Sequence, residues 1–367
     1  MRKLCLLIKK EAVLCIASIF ALVSMIFIPP DVHYFSYIDY SVLVILFCLM
    51  IVTAGLRDLG VFNLLSRKLL AGTRSVKFLS IILVNCVFFC SMFMTNDVAL
   101  ITFVPISIGI FSLARHKKLI FIIVMETLAA NLGSMLTPIG NPQNLYIYSF
   151  YRLTILSFLK DVMPLGILSY VIIMGIILIS QNGIIDIKPE QKAEWRKKKP
   201  LLYYTVLFML CIAAVLRFLD YRICILIVSI ATFIVDKKLF KKVDYSLLLT
   251  FICFFVFAGN LERMDFVRDT LSRFLEGRVF IVSILSSQVI SNVPAAMMIS
   301  RFTQDVRQLL LGVNIGGLGT PVASLASLIS FKIYSRSESS APGKFLGIFA
   351  MYNISILLLV SAIFYGY

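Results

Sequence analysis

Charge and catalytic side chains are what this chain has least of. Two histidines, one tryptophan and 19 acidic residues are spread over 367 positions, and only 15% of the residues are charged. His33 and His116 both fall between apolar runs, so no metal-binding His-Glu-x-x-His helix and no Ser-His pair can be built from them. An enzyme is therefore not expected, and no cofactor is either. The eight cysteines include no CxxC pair, and all lie in or beside apolar runs, where they read as small buried hydrophobes. Cys86 and Cys90 would share a helix face, but further metal ligands are missing nearby. The first apolar run has no small-residue cleavage motif before Pro29-Pro30, so it reads as an anchor that is kept.

What the chain has in excess is hydrophobic sequence, 60% of all residues, with a mean hydropathy of +0.96. Water cannot be the main solvent of such a chain. Runs long enough to cross a bilayer, roughly 17–25 residues each, recur throughout: Ala12 to Ile28, Ser41 to Leu56, Val162 to Ser180, Leu201 to Leu216 and Phe345 to Tyr365. An all-α polytopic membrane protein is expected, with the lipid bilayer as its partner.

The net charge of +16 would suggest nucleic acid in a soluble protein, but the 35 Lys and Arg cluster in alternate loops. Arg2 to Lys10, Arg57 to Lys77, Arg115 to Lys118, Lys188 to Lys199, Lys237 to Lys242 and Lys332 to Lys344 carry most of them, while Pro29 to Tyr40 carries none. The positive-inside rule places these six segments in the cytoplasm. No nucleic-acid partner is expected. The predicted topology is about nine crossings plus two hairpins in a plasma or inner membrane, with the N-terminus cytoplasmic and the C-terminus outside.

Two stretches share one order of landmarks. Residues 41–180 hold a span ending Thr53-Ala54-Gly55-Leu56, a connector Asp58 to Leu70 and a hairpin tip at 95–97. A span broken at 137–144 and a final span Val162 to Ser180 follow. Residues 245–367 hold a span ending Phe257-Ala258-Gly259-Asn260-Leu261, a connector Met264 to Leu275 and a tip at 291–293. There the broken segment is 316–324 and the final span Phe345 to Tyr365. Residues 1–40 form the tail and first span, and 181–244 a basic linker with two connecting spans. The first connector is basic, whereas the second balances Arg263, Arg268 and Arg273 with Glu262, Asp265, Asp269 and Glu276. The two repeats are thus expected to be inverted, an arrangement that gives inward-open and outward-open states of similar energy.

Irregular backbone in hydrocarbon survives only where protein, water or ions satisfy it. In the first break the helix is expected to stop at Thr137-Pro138, with Gly140, Asn141, Pro142 and Asn144 forming a loop whose carbonyls can ligate a cation. Gly312, Gly316, Gly317, Gly319 and Pro321 repeat the device, followed by Ser324 and Ser327. At the tips, Thr95-Asn96-Asp97 and Ser291-Asn292-Val293 supply N-capping types, with half-helices starting at Val98 and Pro294. Their free N–H groups would attract an anion. Asp97 is an intramembrane carboxyl that would handle ions or protons. Glu126, also acidic, is expected either to act likewise or to pair with a basic residue.

These strings, Thr95 to Leu100, Ala130 to Ser134 running to Thr137 to Asn144, and Ser291 to Ala295, resemble the citrate-transporter-like ion transporters. That superfamily includes divalent-anion/sodium symporters, arsenite efflux permeases and some sodium/proton antiporters. The resemblance implies substrate at Asn96 and Asn292, aided by Thr95, Asp97, Asn141, Ser291 and Thr320. It implies a coupling cation at Thr137, Gly140, Asn141, Gly319 and Thr320 together with the two tip asparagines. Elevator motion against a dimerising scaffold is implied too, and hence a homodimer. Neither tip carries the dicarboxylate branch's Ser-Asn-Thr triplet; Asn96-Asp97 stands closer to the arsenite-permease side. The function expected is secondary transport of a small carboxylate or oxyanion coupled to Na+ or H+. A Na+/H+ antiporter or arsenite-type permease is the alternative within the superfamily, and a channel or non-transporting membrane protein the alternative outside it.

Overall fold

The computed structural model describes residues 11–61, 75–113, 118–180, 183–184, 198–338 and 340–366. The first half begins with α1 (Ala12–Phe27), the one-turn α2 (Tyr34–Tyr37) and α3 (Tyr40–Asp58). The helical hairpin α4 (Val76–Phe93) and α5 (Asn96–Leu113) comes next, followed by the broken helix α6 (Leu119–Ser134) and α7 (Pro142–Phe150), and then α8 (Ile155–Ile179). Two connecting helices, α9 (Lys198–Val215) and α10 (Tyr221–Asp236), lead to α11 (Tyr245–Arg263) and α12 (Asp265–Leu275). A second hairpin, α13 (Val279–Ile290) and α14 (Asn292–Ile299), precedes the second broken helix, α15 (Val306–Gly316) and α16 (Leu325–Ser335), and α17 (Pro342–Phe364) closes the chain. Five of these, α3, α4, α8, α11 and α17, are long and apolar enough to cross a membrane, and shorter apolar helices accompany them. Among the described residues no strand forms beyond one isolated bridge, Ser75 with Ile184. The all-α, multi-spanning expectation holds.

Helix starts follow side-chain capping. Asp39, Ser75, Asn141, Thr154, Asp244 and Asp305 each accept a backbone N–H from the first turn they precede, satisfying a donor that has no partner inside the helix. The expected connector Met264 to Leu275 is the helix α12, whereas most of the matching connector, Asp58 to Leu70, and most of the linker 181–199 lie outside the described residues.

The helices pack as two groups. In one, α1 lies on α11, and α3 lies on both α9 and α10. The other holds hairpins and broken helices, with α4 on α6 and α13 on α15. The second arm of each hairpin crosses to the other half: α5 packs on α16, and α14 on α7. The last helix of each half crosses too, α8 onto α15 and α17 onto α6. Helix α6 is buried along nearly its whole length, its polar residues Glu126, Thr127 and Asn131 included.

The recurring Ala-Gly pairs have one physical reason. A Cβ at Gly55 would sit 2.6 Å from Tyr204 Cδ1, and one at Gly259 would sit 2.6 Å from Tyr37 Cδ1. Each glycine thus seats a tyrosine ring against its helix. Arginines tie the two groups together. Arg301, just after α14, donates to Glu262 Oε2 on α11 and to the Tyr37 carbonyl, both at 3.0 Å, and lies 5.2 Å over the Phe150 ring. Arg217, after α9, donates to the Tyr148 carbonyl at 3.1 Å. Large apolar side chains left on the surface, such as Leu22, Ile26, Ile167, Val171, Phe233, Leu285, Val289 and Leu358, suit lipid contact.

Candidate functional site: two tips against two breaks

Both breaks meet the tip of their own half through the same bond. The Asn96 N–H donates to the Gly140 carbonyl, and the Asn292 N–H to the Ala323 carbonyl, each at 3.0 Å. The threonine after each break start repeats the correspondence: Thr137 Oγ1 donates to the Met92 carbonyl at 2.5 Å and Thr320 Oγ1 to the Gln288 carbonyl at 3.2 Å. Tip and break are therefore one unit in each half.

The boundaries differ from expectation in two respects. The half-helices begin at Asn96 and Asn292 rather than at Val98 and Pro294, because their N–H groups already have carbonyl partners across the gap. The first break covers residues 135–141, and Asn144 lies inside α7; Pro142 suits a helix's first turn and Asn141 caps it. The second break, between Gly316 and Leu325, falls where the glycines place it.

The halves then exchange side-chain bonds. Asn131, on α6, accepts at Oδ1 from Asn96 Nδ2 (3.2 Å) and Ser324 Oγ (2.9 Å), and donates from Nδ2 to Ser327 Oγ (3.2 Å). Asn314, on α15, donates from Nδ2 to Asn144 Oδ1 (2.7 Å) and accepts at Oδ1 from Asn141 Nδ2 (3.5 Å). Each asparagine stands six residues before the Thr-Pro of its own half and reaches the other half at the positions four and seven residues after that half's threonine. Thr127 Oγ1 adds a further bond to Ser330 Oγ at 2.8 Å. All of these side chains are buried, while Asp97, Thr137, Ser291 and Thr320 beside them are half-buried.

Of the expected site residues, Asn96, Asn141, Thr137, Gly140, Ser291, Asn292, Gly319 and Thr320 are thus gathered around the two tips, with Thr95 and Asp97 at the first. Asp97 donates its N–H to Asn96 Oδ1 at 2.9 Å, and its Oδ1 is buried with no hydrogen-bond partner among the described residues. Ser291 adopts φ +74° and ψ +155°, a region open to glycine and costly for other residues by about 1–3 kcal/mol. Its hydroxyl donates to the Ala323 carbonyl at 3.3 Å. Gly319 has φ +95°. Every tip and break partner named here is an amide, a hydroxyl or backbone; none is a lysine or arginine.

Asn131, Asn314 and Ser330 were not singled out as site residues from sequence, and Asn144 was read only as part of the loop, although the mirrored spacing from Asn131 to Thr137 and from Asn314 to Thr320 was there to be read. Among the described residues, Glu126 has no basic partner. It is fully buried, and Ser107 Oγ donates to its Oε1 at 2.5 Å. Among the described residues no group of His, Cys, Asp or Glu could hold a metal ion.

Comparison with known proteins gives this architecture its kin. Residues 4–309 match the citrate transporter family. An uncharacterized transporter of Methanocaldococcus jannaschii is 31% identical over 337 residues, covering 90% of this chain and 92% of its own. The inner membrane protein YbiR of Escherichia coli is 30% identical over 308 residues, covering 81% and 80%. The silicon efflux transporter LSI3 of rice is 31% identical over a shorter stretch of 133 residues, 35% of this chain and 27% of its own. A multi-pass helical protein with paired tips and breaks, matched in this way, is a membrane transporter and belongs to the citrate transporter family.

Proposed function

We propose that the protein is a secondary active carrier that moves a small anion, a carboxylate or an oxyanion, coupled to Na+ or H+ by alternating access. The observation that carries this is the exchange of bonds between the breaks, Asn131 to Ser324 and Ser327, and Asn314 to Asn141 and Asn144. Such bonds weld two unwound segments from opposite halves into one body. Unwound backbone is tolerated in a membrane where it lines a site. The half-helix ends at Asn96 and Asn292 converge there, and their N-terminal dipoles favour an anion.

The packing into two groups suits elevator motion: α4 to α8 with α13 to α17 would move as a body against α1, α3 and α9 to α11. Inversion of the two halves, with a cytoplasmic N-terminus and nine crossings, accounts for the basic loops. Substrate falls to Thr95, Asn96, Asp97, Asn141, Ser291, Asn292 and Thr320. The coupling cation, if sodium, falls to Thr137 and Gly140 with Asn96 and, in the second half, to Gly319 and Thr320 with Asn292.

A second reading within the superfamily is an efflux permease for oxyacids of the arsenite or silicon type. The presence of Asp97 and the lack of any basic side chain among the tip partners favour it, since an amide and hydroxyl lining can bind a hydroxylated acid without a counter-charge. The rice relative is a silicon efflux transporter. Thermal stabilisation of the purified protein separates the readings, because a ligand that binds only the folded state raises its stability. Citrate, succinate, sulfate, phosphate, arsenite and silicic acid would be compared, with and without sodium and across pH. A shift with one of them that is lost in Asn96→Ala/Asn292→Ala identifies the substrate class. A response to sodium or pH alone, dependent on Asp97, would replace the anion carrier with a cation/proton antiporter. No response to any of these would sink both.

A further inference from the structure

The two breaks do not satisfy their freed carbonyls in the same way. In the first, Asn144 Nδ2 reaches back from α7 to the Met135 carbonyl at 3.0 Å and the Thr137 carbonyl at 3.5 Å. In the second, the amide comes from the hairpin arm. Gln288, three residues before the tip, places its Nε2 2.7 Å from the Gly316 carbonyl, 3.0 Å from that of Leu318 and 3.3 Å from that of Ile284. Its Oε1 accepts the Thr320 N–H at 2.9 Å. A Cβ at Gly319 would collide with that same oxygen, so the loop is shaped around the amide.

Three backbone carbonyls converging on one centre, one from the last residue of α15 and one from the unwound segment after it, form the kind of oxygen cage that replaces the hydration shell of a monovalent cation. Here a neutral NH2 occupies the centre and offers its two N–H groups to the three oxygens. The matched position in the first half is Met92, whose thioether cannot donate.

We propose that the second break is a latent monovalent-cation site, of the sodium class, held shut by the Gln288 amide. This side chain stands in for the ion, so the unwound backbone of the second half holds together without one. The inference refines the carrier reading, since it removes Gly319 and Thr320 from the coupling-ion site and leaves that role to the first break or to a proton. It does not depend on which substrate is carried.

The test uses the purified full-length chain, its melting temperature read in choline chloride and then with Li+, Na+ or K+ at equal ionic strength. Gln288→Ala empties the cage and leaves room, and Gln288→Glu, read at a pH that keeps its carboxyl ionised, replaces the N–H donors with an oxygen that a bound cation reconciles with three carbonyls. Gln288→Leu fills the space with nothing to donate. The expected result is a lower melting temperature for all three in choline, with a gain of at least about 3 °C on adding one of the cations to the Ala and Glu variants only. If neither the Ala nor the Glu variant responds to any cation, the cage is not a cation site and the proposal fails. It fails equally if the wild type shows a sodium shift that Thr320→Val removes, because the second break would then bind the ion with Gln288 in place. A wild type that responds to no anion would count against the carrier reading and leave the Gln288 comparison intact.

Discussion

In the first half the break is closed from downstream by Asn144, which is itself held by Asn314; in the second it is closed from upstream by Gln288, which answers only to its own half. The first half also has the longer hairpin, arms of 18 residues each, against 12 and 8 in the second. It keeps an acidic residue at its tip where the second has Val293. The second keeps a strained serine where the first has Thr95. The same order of hairpin and broken helix is thus closed with its partner's help in the first half and by its own residues in the second. Function built on both need not be shared equally between them.

The sharpest way to break that comparison is at the matched glycines Gly133 and Gly316. A Cβ at Gly133 would strike the Phe88 backbone carbonyl, which cannot turn aside; at Gly316 it would meet first a side chain, Ser287, with Oγ at 2.7 Å and Cβ at 2.8 Å, and main chain only at 3.1 Å. Gly133→Ala should destabilise by about 3 kcal/mol and Gly316→Ala by about 1 kcal/mol. Melting in detergent would show it, and equal losses would mean that the two contacts are equivalent.

Next come the exchanged asparagines. Asn131→Ala leaves Asn96, Ser324 and Ser327 without their shared partner and should cost about 2 kcal/mol. Asn314→Ala, which removes one short and one long side-chain bond across the halves, should cost about 1 kcal/mol. A double variant costing less than the sum would reveal coupling between the two clusters, since residues in one network do not add.

The tips sharpen the comparison differently. Asn292 has its backbone N–H committed, but among the described residues no side-chain hydrogen bond of Asn292 matches that of Asn96 to Asn131. Asn292→Ala should therefore leave the melting temperature nearly unchanged while lowering substrate counterflow in liposomes by at least about tenfold, the equivalent of one lost hydrogen bond to a charged ligand. Asn96→Ala should lower both. Unaltered counterflow in Asn292→Ala would remove the second tip from the binding site.

The smallest effect is a gain. Ser291→Gly relieves a φ of +74° and loses one hydroxyl bond, so stability should rise by about 0.5–1 kcal/mol. A loss instead would show that the bond to Ala323 outweighs the strain.

Much of this was legible in the sequence. Apolar run length and the Gly-Pro clusters located spans, hairpins and breaks, because the bilayer leaves few other arrangements. Helix restarts were read two residues late at Asn96 and Asn292, because a carbonyl from a distant loop, not a local cap, takes their first N–H. The crossed bonds of Asn131 and Asn314 were not read at all. They depend on which half-helix faces which, and nothing local to either asparagine encodes that. Gln288 was hidden for a further reason: it sits in an apolar arm, where one polar residue says nothing about which way it turns.

The crossed bonds also impose a waiting time during synthesis. Asn131 and Ser327 are 196 residues apart, and Asn144 and Asn314 are 170 apart. At a synthesis rate of about 5–20 residues per second, the first half stays in the membrane for roughly 10–40 s with its amides unmatched. Until its second half arrives, the newborn protein must borrow other partners for those groups, from water, lipid headgroups or the insertion machinery.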